Sequence, residues 1–395
     1  MELEPKDIVK KYQAQTFPYP SFLDIDYSKG SYIYDKKNKK YLDFVAGVSA
    51  CSVGHSNIEV IKAVKDQIDK YYHVMVYGEY IQEPQYKLAK LLAKHLPKKL
   101  STSYFTNSGA EAIEGAIKLA KRITSKSEII SCWGSYHGST HGALSVMGNE
   151  HYKANYRPLL PECNKIIFND LKSLNNITKK TAAVIIETVQ GASGFKIASE
   201  NFLNTLKNKC KECGALIIFD EIQTGYGRLG KLFGFEQTNI VPDILCIAKG
   251  MGGGMPIGAF ISSWENMNNL THNPKLGHIT TFGGHPVNCA ASFATLNFII
   301  NNNLMSKINN KEVLFRKLLS HRKIKNINGK GLMLSIDLDS KDERDKLVAN
   351  CMDDGLLLFY FLFNETSVRL TPPLTISNEE IIEGCEIIIN NLENL

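Results

Sequence analysis

Two carboxylates and a lysine, each closing a short apolar run, carry the chemistry of this chain. Ala215–Phe219 ends in Asp220 and Glu221. Ile244–Ala248 ends in Lys249, and Gly250, Gly252, Gly253, Gly254 and Gly258 follow closely. Continuous apolar runs of this length read as buried parallel strands, and ligands of open α/β sheets sit at the carboxyl ends of such strands. An acid and an amine presented there, one strand end apart, suit pyridoxal 5′-phosphate. Its aldehyde needs a lysine to hold it as a Schiff base. Its ring nitrogen needs a carboxylate to stay protonated, so that the ring draws electrons. Singly, a lysine after a strand is usually solvated and an Asp-Glu pair usually caps a turn. Beside glycines that clear bulk and allow close backbone approach, Lys249 and Asp220 are expected to be catalytic.

A second signal concerns a phosphate. Thr106-Asn107-Ser108-Gly109-Ala110-Glu111-Ala112 lies between an apolar run and an amphipathic helical stretch. A helix N-terminus offers unpaired backbone N–H groups and the positive end of its dipole. Ser108 adds a hydroxyl, and Gly109 lets an oxygen approach the backbone. The plainer reading is that Ser108 only caps the helix. Thr281, in Thr280-Thr281-Phe282-Gly283-Gly284-His285-Pro286, is either a second phosphate donor or an ordinary turn threonine. Tyr136, in Ser135-Tyr136-His137-Gly138, can stack on the ring. Gln223 can hydrogen-bond the phenolic oxygen, and Glu187, after Ala182–Ile186, can orient Gln223 or the ring's surroundings.

These residues need a scaffold. With 395 residues the chain exceeds one core and predicts two domains. A hydrophobic share of 44% with 22% charged residues is that of a soluble globular protein. The net charge of +6 comes without any basic block interleaved with aromatics, so no nucleic-acid partner is expected. The start, MELEPKDIVKKY, lacks the apolar core of a signal peptide. The longest apolar stretch, Leu356–Phe363, is far too short to span a bilayer. The 9 cysteines are odd in number and scattered, which suits free thiols in a reducing cytoplasm. Cys210-Lys-Glu-Cys213 has no partner pair, and no metal site is expected.

Apolar runs alternate with helical patterns through the middle of the chain. Tyr104–Thr106 leads to a helix from Gly109 to Ile123, and Glu128–Trp133 to a helical segment near Gly142. Ala182–Thr188 precedes a helix over Asn201–Cys213, and Ala215–Phe219 and Ile244–Ala248 follow. Such alternation predicts a mostly parallel sheet with helices on both faces. The last hundred residues read differently, with helices at Ala290–Asn301, Lys341–Asp353 and Glu379–Asn391 and a strand at Leu332–Leu338. The expected division is a large α/β domain over 51–290 and a smaller α+β domain over 291–395. Residues 1–50, with a hairpin at Tyr32–Asp43, join the smaller one.

Eight motifs in order along nearly the whole chain now carry a resemblance. TNSGAEAIEGAIKLAK, SYHGSTHGALSVMG, ETVQGASGF, LIIFDEIQTGYGRLGKLFGFE, PDILCIAKGMGGGMPIGA, TTFGGHPVNCAA, GKGLML and RLTPPL resemble the class III aminotransferases of pyridoxal-phosphate fold type I. That group includes acetylornithine, ornithine and 4-aminobutyrate aminotransferases. The resemblance implies that Lys249 holds the cofactor and shuttles the proton, and that Asp220 pairs with the ring nitrogen. Ser108, Gly109 and Ala110 would hold the phosphate of their own subunit. Thr281 would reach the phosphate of a neighbouring subunit, which implies a homodimer with shared sites. Tyr136 matches the stacking aromatic, with His137 and Glu187 in the cofactor-binding set, and Gln223 matches the residue at the phenolic oxygen. Arg369 matches the arginine that clamps the α-carboxylate of amino-acid and 2-oxoglutarate substrates, a bidentate task that suits its planar fork.

The chain also departs from the family. Where relatives read QGE, this chain reads Gln190-Gly191-Ala192. That glutamate masks the arginine at the Arg369 position when a donor binds by its ω-amine, and Ala192 cannot. HGRT becomes His137-Gly138-Ser139-Thr140, so a charge that holds a donor's distal carboxylate is missing. Thr188 replaces a proline. The expected activity is transfer of an amino group from an ω-amino donor of the acetylornithine/ornithine type to a 2-oxo acid, with 2-oxoglutarate the expected acceptor, in amino-acid metabolism. Rival activities in the class are 4-aminobutyrate or diamine transamination, diaminopelargonate synthesis and racemisation. A non-catalytic protein on the same fold is opposed by the retained Lys249, Asp220 and phosphate motif.

Overall fold

The computed structural model describes residues 3–395. Its centre is a seven-stranded sheet in the order Thr102–Thr106, Gly258–Ser262, Ile244–Ile247, Leu216–Asp220, Thr181–Ile186, Glu128–Cys132 and Cys163–Ile166. Gly258–Ser262 runs antiparallel to both neighbours, and the other pairings are parallel. The expected α/β class with a mostly parallel, helix-flanked sheet is therefore observed. The strands Gly258–Ser262 and Cys163–Ile166 are additions that the apolar pattern did not announce.

Successive strand residues face opposite sides, and the burial shows both sides covered. Ile129, Ala183, Ile185, Ile218, Ile244 and Phe260 pack with Ile113, Ala116 and Ala120 of the helix Gly109–Thr124. Ile130, Val184, Ile186, Ile217, Phe219 and Leu245 belong to the other core, with Phe202, Leu203 and Leu206 of the helix Glu200–Cys213. That core is continuous with the C-terminal part of the chain through Leu296, Leu334, Leu370 and Ile388.

Two smaller sheets complete the molecule. The hairpin Tyr32–Asp35 and Lys40–Asp43 pairs with Ile25–Lys29 on one side and with Leu356–Leu357 on the other. The second small sheet is antiparallel and holds Asn326–Lys330, Met333–Asp337, Ser367–Leu370 and Phe359–Tyr360. Arg369 sits in it opposite Ser335 and Phe359. The helices Leu304–Leu318, Lys341–Asp353 and Asn378–Glu393 accompany these sheets. Among the described residues no helix is long and apolar enough to cross a membrane.

Candidate active site

Adjacent strands of the large sheet bring the first pair together. Asp220 ends its strand opposite Cys246, and Lys249 follows two residues after the strand Ile244–Ile247. Lys249 has a left-handed backbone, with φ at +47°. For a residue with a side chain such a conformation costs about 1–3 kcal/mol and persists where the surroundings enforce it. Here Lys249 opens a tight turn through Gly252, and Gly253 closes it at φ +58°. The phosphate motif abuts the same place. A Cβ on Gly258 would lie 2.4 Å from the Ser108 carbonyl oxygen, so only glycine lets that strand begin against the turn. Ser108 is the N-cap of Gly109–Thr124, and its Oγ accepts the Glu111 N–H at 3.2 Å.

A cavity of about 600 Å³ collects these residues. Ser108, Gly109, Ala110, Tyr136, His137, Glu187, Asp220, Gln223, Lys249 and Arg369 all line it. Thr281 does not. It is exposed on a separate loop, and the preceding Thr280 is linked to the Ser108 turn through Asn107, whose Nδ2 donates to Thr280 Oγ1 at 2.9 Å. Glu221 also turns away. Its carboxylate accepts the Gly234 and Phe235 N–H groups, so of the adjacent acids only Asp220 reaches the cavity.

The acids are held by a dense set of bonds. His137 Nδ1 lies 2.7 Å from Asp220 Oδ2, and Asp220 Oδ1 accepts the Ile222 N–H at 3.0 Å. Glu187 accepts the Gly191 N–H at 2.8 Å and the Tyr136 N–H at 3.3 Å. Burial, reinforced by the Asp220 charge and opposed by His137, pushes the Glu187 carboxyl up to about 7. Gln223 Nε2 donates to Ser49 Oγ at 3.2 Å.

The two cations are short of partners. Burial and then the Arg369 charge bring the Lys249 amine down to about 8, against the pull of Asp220 and Glu187. An amine in that range is available in its neutral form near physiological pH, as a nucleophile or proton carrier must be. Arg369 is buried and donates to the carbonyls of Tyr360 at 3.1 Å and Gly191 at 3.3 Å. Its guanidinium lies over the Phe361 ring at 4.7 Å and near Phe195 at 5.6 Å. Among the described residues its Nη1 has no partner. A buried guanidinium with an unused donor is built to receive an anion.

This donor set fits pyridoxal phosphate. One amine and one carboxylate from adjacent strand ends line the cavity, and the N-terminus of a four-turn helix opens onto it. The comparisons with known proteins agree. Residues 14–392 match the family described as Aminotransferase class-III. The chain is 37% identical over 383 residues to the acetylornithine aminotransferase of Methanopyrus kandleri, covering 96% of both chains. It is 37% identical to that of Bacillus subtilis, covering 92% of this chain and 93% of the relative. The chain belongs to the class III aminotransferases. Its fold is that of the ornithine aminotransferase of Toxoplasma gondii, at a TM-score of 0.91 and 27% identity over 98% of this chain and 94% of the other. The adenosylmethionine-8-amino-7-oxononanoate aminotransferase of Methanocaldococcus jannaschii is equally close, at 0.91 and 27% over 98% of each chain. The protein is a transaminase, and pyridoxal 5′-phosphate is its cofactor.

Three contributors escaped the motif reading. The segment Ala46–Ser49 has left-handed backbone throughout and brings Val48 to the cavity wall and Ser49 to Gln223. The His137–Asp220 contact joins residues 83 apart. Phe359, Tyr360 and Leu362 come from the apolar stretch that sequence reasoning weighed only as a membrane span. The run of positive φ at a Val and a Ser had no local signal. The aromatic spacing in Phe359-Tyr360-Phe361-Leu362-Phe363 was visible and went unused.

Proposed function

We propose that this transaminase takes an ω-amino donor of the acetylornithine/ornithine type and passes its nitrogen to a 2-oxo acid, with 2-oxoglutarate the acceptor. The observation that carries the reading is the joint presence in one cavity of Lys249, Asp220 and Arg369 with its unpaired Nη1. The names of the acetylornithine aminotransferases similar to this chain support the donor class.

Each residue has a task. The amides of Gly109 and Ala110 and the Ser108 hydroxyl would hold the cofactor phosphate at the helix N-terminus. Tyr136 and Gln223 would hold the ring, and Asp220, steadied by His137, would keep its nitrogen protonated. Glu187 fastens the backbone of Tyr136 and of Gly191, which in turn holds Arg369. When bound, pyridoxal phosphate supplies a carbonyl that exchanges nitrogen with amines and a ring that accepts the electron pair released at the donor carbon. Lys249 removes the proton from that carbon through its neutral Nζ, and Arg369 binds the substrate α-carboxylate with its free Nη1. Borohydride reduction of the holoenzyme followed by peptide mapping tests the centre of this scheme. Label on Lys249 is expected, and label on another lysine would refute it.

The working unit is proposed to be a homodimer in the cytoplasm. Thr281 lies outside its own cavity, beside exposed apolar side chains. Ile81 is 93% exposed, and Leu276, Ile279 and Phe282 are also uncovered. Contiguous apolar surface of this kind marks an interface. All nine cysteines are free, in keeping with a reducing compartment. Co-assembled Lys249→Ala and Thr281→Ala chains should regain activity that neither has alone, because one of the two mixed sites is then whole. A fully active monomer would contradict the dimer.

A further inference from the structure

Arg228, in Gly225-Tyr226-Gly227-Arg228-Leu229-Gly230, is fully buried. Burying a guanidinium is costly unless its donors are used. Here they go to neutral oxygens. Nη1 donates to the carbonyls of Leu332 at 3.0 Å and Pro372 at 2.5 Å, and Nη2 donates to Ser52 Oγ at 3.2 Å. The backbone repeats the first link, since the Arg228 carbonyl accepts the Leu332 N–H at 3.0 Å. Among the described residues its Nε has no partner. Burial brings the guanidinium down to about 9, which still leaves it a cation near neutral pH.

The segments it joins all lead to the walls of the site. Leu332 precedes the strand Met333–Asp337, which pairs with Ser367–Leu370, and Pro372 lies three residues beyond Arg369. On the other side, Ser52 Oγ donates to the Ser49 carbonyl at 3.0 Å, and Ser49 Oγ accepts from Gln223. Ser52 also backs Lys249. A Cβ on Gly250 would lie 2.6 Å from Ser52 Oγ and 3.5 Å from the Ser49 carbonyl oxygen, so the hydroxyl occupies the place that a side chain after Lys249 would take. The left-handed turn at Lys249 thus rests on Ser52, and Ser52 on Arg228. Neither Arg228 nor Ser52 lines the cavity itself.

We propose that Arg228 is a positioning residue for transamination: through Ser52 it holds the Lys249 turn and the Ser49–Gln223 contact in register with the strand that carries Arg369. Its planar fork suits the task, because one rigid group reaches two carbonyls on one side and a hydroxyl on the other. The amine that moves the proton and the guanidinium that binds the carboxylate stand on different sheets, and Arg228 is the polar link between their supports. A shift near 1 Å between groups that must meet in one reaction can cost about a hundredfold in rate. The inference rests on the reading of Lys249 as the working lysine but not on the identity of the donor.

The test compares the wild-type holoenzyme with Ser52→Ala, Arg228→Lys and the double variant. Three quantities are read: kcat and KM with glutamate and 2-oxoglutarate, the visible circular dichroism that the bound cofactor takes from a fixed seat, and Tm. Ser52→Ala should lower kcat about tenfold and weaken the visible dichroism, with KM for 2-oxoglutarate within about twofold of wild type. Arg228→Lys keeps the charge and loses the fork, and should lower kcat and dichroism at least as far. The double variant should be no slower than Arg228→Lys alone, because both changes break one chain of contacts. If the two losses multiply, or if Tm falls while kcat and dichroism stay, Arg228 does not act through Ser52 and the inference is overturned. Should Arg228→Lys fail to fold, an unchanged kcat and dichroism in Ser52→Ala overturns it alone. Borohydride label on a lysine other than Lys249 in the wild type would overturn the proposed function and this inference with it. Label on Lys249 with an unmoved Ser52→Ala would overturn the inference and leave the function standing.

Discussion

The two ends of the cavity are built on opposite plans. At the cofactor end Asp220, Glu187 and His137 are locked to one another or to backbone amides, on strand ends of the central sheet. At the substrate end one guanidinium is left with a free donor among aromatic and aliphatic side chains, on a small antiparallel sheet and its loops. The cofactor is the same at every turnover, so the two acids at its end can keep fixed partners, although His137 Nε2 has none among the described residues. Donor and acceptor alternate at the other end, and a group that must bind and release two ligands is better left with capacity to spare. Saturated bonds give position, and unsatisfied ones give exchange.

The sharpest way to break that picture is at the saturated end. Lys249→Ala should abolish turnover and the borohydride-reducible link, while Ser108, the helix N-terminus and Asp220 still retain cofactor. Turnover and cofactor absorbance after gel filtration check it together. Asp220→Asn should follow, because it leaves the shape and removes the charge proposed to keep the ring nitrogen protonated. A fall of roughly a hundredfold or more in kcat is expected, the scale for removing one preorganised electrostatic partner. A loss confined to KM would show that Asp220 merely shapes the cavity.

The ends also communicate through charge. The Arg369 charge is the second cause, after burial, of the lowered Lys249 amine near 8. The neutral, reactive amine dominates above that value, so cofactor capture by the cofactor-free protein should quicken as pH rises through about 8. Arg369→Gln removes a positive neighbour and should move that midpoint upward. Arg369→Lys keeps the charge, so the midpoint should stay. It loses the planar fork, however, and the KM for 2-oxoglutarate should rise by the equivalent of about 1.5–3 kcal/mol, the worth of a charge-assisted hydrogen bond. Stopped-flow absorbance over a pH series and steady-state kinetics separate the two effects.

The same contrast governs what the sequence disclosed. Asp220 and Lys249 stand at ends of apolar runs, and run ends are local information. The helix Gly109–Thr124 announces itself by a cap and an amphipathic period. Glu221 was indistinguishable from Asp220 in sequence, and only the alternation of strand faces sends it to Gly234 and Phe235. The His137–Asp220 bond and the Val48 wall depend on segments meeting in space. The antiparallel strand Gly258–Ser262 was masked by the glycine-rich turn before it. Substrate-end residues scatter over loops and a short sheet, where no period marks them. Family motifs reached Arg369 there, and they also marked Ser139 and Ala192 as departures.

The smallest and most telling change adds a partner where the chain has omitted one. Ala192 is buried on the cavity wall, its carbonyl accepts the Phe363 N–H at 3.0 Å, and the preceding carbonyl of Gly191 holds Arg369. Ala192→Glu would place a carboxylate beside the unpartnered Nη1 and convert the substrate end to the saturated plan. A substrate carboxylate would then have to displace an internal one. Glutamate, which presents its α-carboxylate to Arg369, should lose most, by roughly tenfold in its half-reaction if the new pair is worth about 1.4 kcal/mol to the free enzyme. Donors held by their ω-amine alone should keep their rates, and 4-aminobutyrate, ornithine and acetylornithine should spread according to how far each relies on the arginine. Single-turnover absorbance changes with each donor give the ranking directly. If Ala192→Glu slows all donors alike, the new side chain only fills space, and position 192 does not govern how Arg369 is shared between the two half-reactions.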